Sequence, residues 1–135
     1  MGTGASVPAG NQDTPRRRPV ALLTGGQDTS YALGLAASLL DQQIPLEVIG
    51  SDDLETGALW GHPLVRFLNL RGSQNADAPF LSKAVRVCVY YARLIAYAAT
   101  ARPRVFHILW NNKFETFDRT VLMAYYRLLR KRVVL

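Results

Sequence analysis

At 135 residues, with 49% hydrophobic and 19% charged residues, the chain has the length and composition of one globular domain with a sizeable core. Its net charge of +6 is concentrated in Arg16, Arg17 and Arg18 and in Arg127, Arg130, Lys131 and Arg132, so the stretch between is near balance and no nucleic-acid partner is expected. The single cysteine, Cys88, excludes an intrachain disulfide and suits a reducing, cytoplasmic setting, and no apolar run is long enough to cross a bilayer, since Arg93 interrupts Val87 to Ala101.

Residues 1–18 are rich in Gly, Ala, Ser, Pro and Asp and carry no apolar periodicity, which reads as a disordered tail ahead of a domain spanning 19–135. The first strand is the apolar run Val20 to Leu23. It breaks at Thr24-Gly25-Gly26, and a helix follows from about Thr29 to Gln42 with Asp28 or Thr29 as its N-cap. Leu33, Ala36, Ala37 and Leu40 form the apolar face expected to meet a sheet, and Ala32, Gly34 and Ala36 keep part of the surface small for close packing. Ile44-Pro45 ends this helix, Leu46 to Gly50 is the second strand, and Ser51-Asp52-Asp53 lies at its C-terminal end.

The third strand is Leu64 to Leu70, followed by a polar loop from Arg71 to Pro79. A long helix covers roughly Ser82 to Ala101. Lys83, Arg86, Tyr90, Arg93 and Tyr97 share one of its stripes and are expected to form a basic and aromatic outer edge, with Cys88 as a buried thiol. Arg102-Pro103 stops the helix. The fourth strand is Arg104 to Trp110, the final helix runs from about Arg119 to Lys131 with Asp118 as N-cap, and Arg132 to Leu135 begins a fifth strand. Alternating strands and helices imply an α/β fold: a Rossmann-like parallel sheet flanked by helices, with ligands at the C-terminal edge. A chain ending three residues into a strand suggests one half of something larger.

Four loops should converge at that edge: Thr24 to Thr29, Ser51 to Asp53, Arg71 to Asn75 and Asn111 to Glu115. Gly25 and Gly26 allow close backbone approach to a polar or anionic group, but their spacing fits neither the dinucleotide fingerprint nor the P-loop. Asp52 or Asp53 can hold sugar or ribose hydroxyls or merely cap a loop. Asn111, Asn112, Lys113 and Glu115 put two amides, a cation and a carboxylate into one loop, a stronger functional pattern than mid-strand His107, which reads as a packed core histidine. His62 and His107 have no ligand-spaced partners, so no metal site is expected.

Two resemblances compete for these residues. Thr24-Gly25-Gly26-Gln27-Asp28-Thr29 resembles the Ser-Gly-Gly-x-Asp-Ser loop of PP-loop ATP pyrophosphatases, which implies binding of ATP phosphates and adenylation of a substrate. A broader likeness, from about Pro19 to Leu135, is to the N-terminal half of GT-B glycosyltransferases of the family 4 type. It is carried by Leu22-Leu-Thr-Gly-Gly-Gln-Asp28, Tyr31-Ala-Leu-Gly-Leu-Ala36, Val48-Ile-Gly-Ser-Asp-Asp53 and Val65-Arg-Phe-Leu-Asn-Leu-Arg-Gly72. His107-Ile-Leu-Trp-Asn-Asn-Lys-Phe-Glu115 and Phe117-Asp-Arg-Thr120 are its most distinctive segments.

That resemblance implies a domain incomplete at its C-terminus, taken from an enzyme that moves a sugar from a nucleotide-sugar donor to an acceptor. The N-terminal half receives the acceptor, and a second half, missing here, holds the donor. No cofactor or metal is expected, because helix termini and basic side chains stabilise the leaving diphosphate. Gly25, Gly26, Asp52, Asn111, Asn112, Lys113 and Glu115 would line the acceptor side, with the catalytic residues unassigned. Lys83, Arg86 and Arg93, with Tyr90 and Tyr97, would form either a plain solvated helix face or one that rests on an anionic membrane surface at its inner face. A third expectation is a non-catalytic remnant that only interacts with a partner.

Overall fold

The structure, a computed structural model, describes residues 17–24, 29–54, 58–73, 77–109 and 115–135. Five short strands form one sheet: β1 (Val20–Leu23), β2 (Leu46–Gly50), β3 (Val65–Asn69), β4 (Val105–Ile108) and β5 (Arg132–Val134). They lie in the order β3-β2-β1-β4-β5, and every neighbouring pair is parallel. This is the Rossmann-like α/β arrangement expected from the alternation of elements.

Three helices flank the sheet: α1 (Thr29–Asp41), α2 (Phe80–Thr100) and α3 (residues 115–128). The parallel pair β2 and β3 is joined without a full helix, through two 3-10 turns at Asp52–Leu54 and Ala58–Gly61. Side chains alternate across each strand, so β1 serves two cores. Leu22 packs with Ala36, Leu40, Leu46 and Val48 under α1. Ala21 and Leu23 pack with Ile49, Leu94, Phe106 and Tyr126 under α2 and α3. All of β2 is buried, as its position inside the sheet requires.

Helix α1 turns Ala32, Ala36 and Leu40 fully inward, while Leu33 and Ala37 remain half-buried, a small rotation from the expected face. The small residues Ala32 and Ala36 do sit at the contact. Gly34 is exposed, and a methyl group there would touch nothing, so its lack of a side chain serves no packing purpose. Gly50 is different. A Cβ at that position would stand 3.0 Å from the Phe67 ring, so the end of β2 stays bare to admit that ring. Helix α1 ends with Gln43 at φ 57°, its N–H bonded to Leu40 and that of Ile44 to Leu39, a left-handed terminus that satisfies the last carbonyls. Arg130 repeats the device after α3.

Helix α2 contradicts the outer edge expected for it. Tyr90 and Tyr97 face inward with Tyr91, Leu94 and Ala98, while Cys88 is exposed. The reason is that α2 packs on Phe106 and Glu47, side chains from other strands that accept aromatic rings. The Tyr97 ring stacks 6.0 Å from that of Phe106, and its hydroxyl donates to Glu47 Oε2 at 2.6 Å. Helix α3 also begins earlier than expected, at Glu115. Asp118 lies inside it, at the head of a π-helical segment (Asp118–Leu122), and is not an N-cap. The widened turn lets its carboxylate accept a hydrogen bond from Tyr91 of α2, 2.7 Å away.

Candidate functional site at the C-terminal edge of the sheet

In an open parallel sheet the crevice forms where neighbouring connections leave in opposite directions, here between β1 and β4. A cleft of about 270 Å³ occupies that place. It takes residues from both faces of the sheet: Tyr31 and His107 from the α1 side, and Tyr90, Leu122 and Tyr126 from the other. Thr24 and Leu109 form its floor at the strand ends, and Arg71, Asp118 and Arg119 bring charge to its wall.

Each polar group there has a distinct state. The Thr24 hydroxyl is committed to the fold, donating to the Ile49 carbonyl at 2.8 Å while its own N–H bonds the same oxygen. The guanidinium of Arg71 lies 4.7 Å above the Tyr90 ring, a cation–π contact that orients it. Burial pushes the Asp118 carboxyl above the usual carboxylate range, against the opposing pull of the Tyr91 hydrogen bond and the Arg71 charge. Burial likewise raises the Tyr91 phenol, and the adjacent Asp118 adds to the rise. His107 is held below its ordinary value by burial, so its imidazole is neutral at pH 7.

Tyr126 is the exceptional member. It is wholly buried, its ring meets that of Phe106 edge-on at 5.0 Å, and its hydroxyl has no hydrogen-bond partner among the described residues. Helical side chains lean toward the helix N-terminus, which carries the hydroxyl up toward Tyr90, Tyr91 and Asp118. Their charges reinforce the effect of burial in raising its pKa. A buried hydroxyl left unpaired costs about 1–3 kcal/mol, and this one belongs to a residue lining the cleft. The arrangement can therefore offer an acceptor from Asp118 and a cation from Arg71 to a ligand with several hydroxyl or oxyanion groups, with the buried Tyr126 hydroxyl behind them.

Of the residues expected at the site, Gly25, Gly26, Asn111, Asn112 and Lys113 lie outside the described residues, as does the side chain of Glu115, whose backbone opens α3. Asp52 does not line the cleft. It accepts a hydrogen bond from Asn69 Nδ2, and Asn69 Oδ1 in turn takes the Gly72 N–H at 2.8 Å, so Asp52 ties the end of β2 to the turn after β3. His107, expected in the core, is half-buried and lines the cleft. Asp118, Tyr91 and Tyr126 were not singled out as site residues from sequence. Asp118 reads from sequence as a helix N-cap within the Phe117-Asp-Arg-Thr120 segment, and Tyr91 and Tyr126 carry no cue beyond ordinary helical spacing. Comparison with protein-family models, curated proteins and solved structures finds no match to this chain. Among the described residues there is no grouping of three or more His, Cys, Asp or Glu side chains suited to a metal ion.

Proposed function

We propose that this domain is the acceptor-side half of a glycosyltransferase of GT-B architecture, and that the cleft between β1 and β4 receives the acceptor. The observation that carries the reading is the Tyr126 hydroxyl, unpartnered among the described residues, beside Asp118 and Arg71 at the C-terminal edge of a Rossmann-like sheet. A saccharide suits such a site, because its hydroxyls both donate and accept while its ring faces pack on tyrosines. The likeness of residues 107–115 to family 4 glycosyltransferases supports the same reading. The nucleotide-sugar donor would be held by a second domain, with transfer depending on both.

The test is titration of the isotope-labelled full chain with methyl glycosides, followed by amide shifts. The expected response centres on Arg71, Leu109 and Tyr126, and Tyr126→Phe weakens it roughly tenfold while the fold is retained. A response to ATP at residues 25–28, with none to glycosides, would replace this reading by the PP-loop one. Silence toward both would leave a non-catalytic interaction domain.

A further inference from the structure

All strands of a parallel sheet start at the same edge, so segments far apart in sequence become neighbours there. Arg17 and Arg18 lead into β1, Arg102 and Arg104 into β4, and Arg130 and Arg132 stand at the start of β5. These three strands adjoin, with Val20 level with Val105 and Val105 level with Arg132, about 5 Å from strand to strand. The Arg132 N–H donates to the Arg104 carbonyl at 2.6 Å. Lys131 reaches back to the carbonyls of Ala101 and Pro103 at 2.7 Å each, which clips the two arginine segments together. All six arginines are exposed, and among the described residues none takes part in an ion pair. Burial lowers the pKa of Lys131, and the Arg104 charge lowers it further, against the pull of Glu47. Along the chain the cations form two distant clusters with a balanced stretch between them. On the fold they share one rim.

Little at this edge offsets that charge. Of the described carboxylates, Glu47 is only 7% exposed and is engaged by Tyr97 and Arg66, and Asp41 closes α1. Asp52, Asp77 and Asp118 lie toward the opposite edge. A rim of arginines with few acids among them attracts a polyanion, and its other side chains narrow which one. The exposed aromatic side chains described, Tyr31, Phe80 and Phe117, all lie in the first turns of helices at the other edge. The described rim therefore has no platform on which unpaired bases could stack, as single-strand binding requires. Leu128 is the one large apolar side chain exposed in the last turn of α3, too little to anchor the edge in a bilayer. We propose that this edge binds the phosphate backbone of a nucleic-acid duplex, DNA or RNA, without regard to sequence, through arginine guanidinium groups donating to phosphate oxygens. The rim lies at the opposite end of the sheet from the cleft and is independent of the transferase reading.

The test is titration of fluorescein-labelled short duplexes, one DNA and one RNA, each in two unrelated sequences, with the full chain and anisotropy as the readout. Both sequences of a duplex that binds should bind alike. The logarithm of affinity should fall against that of salt with a slope of about −4, as roughly four or five phosphate contacts give. The pair Arg102→Gln and Arg104→Gln, and separately the pair Arg130→Gln and Arg132→Gln, should each flatten the slope by about two and weaken binding roughly tenfold or more. Arg93→Gln, exposed on α2 away from the rim, leaves both unchanged. Circular dichroism checks that the variants fold, and either pair suffices should the other not. A preference for DNA or for RNA names the source and leaves the proposal standing. Absence of binding at low salt, binding unchanged in the paired variants, or an equal loss in Arg93→Gln overturns it. So does tighter binding to single strands or to phosphatidylglycerol vesicles, or displacement of the duplex by polyglutamate at equal charge, which would make the rim a site for an acidic protein.

Discussion

Phe106 lies between two tyrosines, Tyr97 from α2 and Tyr126 from α3, and their surroundings divide the molecule into two ends. At the N-terminal edge of the sheet the buried polar groups are paired. The Tyr97 hydroxyl reaches Glu47, which is only 7% exposed, and Lys131 donates to the carbonyls of Ala101 and Pro103 at 2.7 Å each while covering the Phe106 ring. At the C-terminal edge the Tyr126 hydroxyl is buried but has no partner among the described residues, and burial disfavours the charge on Asp118. One end spends its buried polarity on the fold. The other leaves a buried hydroxyl without a partner among the described residues, at a cost in stability.

Alkali attacks both ends together and should have the largest effect. Burial raises the phenols of Tyr91, Tyr97 and Tyr126, so the folded state holds these protons more tightly than the unfolded chain does. Their contribution is complete below the ordinary tyrosine value of about 10 and is lost as pH rises above it. Urea melts at rising pH, with phenolate absorbance as the second probe, should show unfolding and ionisation occurring together. Separate ionisation of these tyrosines in a folded chain would show that they are not held as described.

The same chemical change made at each tyrosine then separates the two ends. Tyr97→Phe leaves the Glu47 carboxylate buried without its short hydrogen bond and should cost about 2–3 kcal/mol in denaturant melts. Tyr126→Phe removes a hydroxyl that no described protein group satisfies and should stabilise by about 1 kcal/mol. A loss of stability in Tyr126→Phe would mean that its hydroxyl has a structural partner, and the contrast between the ends would fail.

Two smaller effects sharpen the contrast. Asp118→Asn should raise stability at pH 7, where the carboxyl is charged in a site that disfavours charge. Since the folded-state pKa is raised, that gain should vanish as pH falls below the ordinary carboxylate value and both states protonate. Thermal melts at pH 7 and pH 3 measure the difference. Smallest of all is Arg66→Ala. Its guanidinium lies 3.6 Å from Glu47 but its side chain is 68% exposed, so about 0.5 kcal/mol or less is expected in the same melts. The hydrogen bond from Tyr97, and not this ion pair, is what holds Glu47 in place.

The sequence by itself determined the order and kind of the elements, because those follow from local chemistry. Val20 to Leu23 and Leu46 to Gly50 are short, mainly apolar runs bounded by turn residues, as a buried parallel strand requires, and Pro45, Pro79 and Pro103 sit at helix boundaries where the missing N–H does no harm. Rotation of a helix about its axis is another matter. Helix α2 has apolar residues almost all round, so its own spacing allowed Tyr90 and Tyr97 to point out and Cys88 in. The structure does the reverse because Phe106 and Glu47, distant in sequence, offer a ring and a carboxylate to those tyrosines. The cleft depends on the same kind of fact. Asp118, Arg71 and Tyr126 carry no shared motif, and they meet only because a π-turn in α3 and the packing of two helices on one sheet face bring them to the same edge.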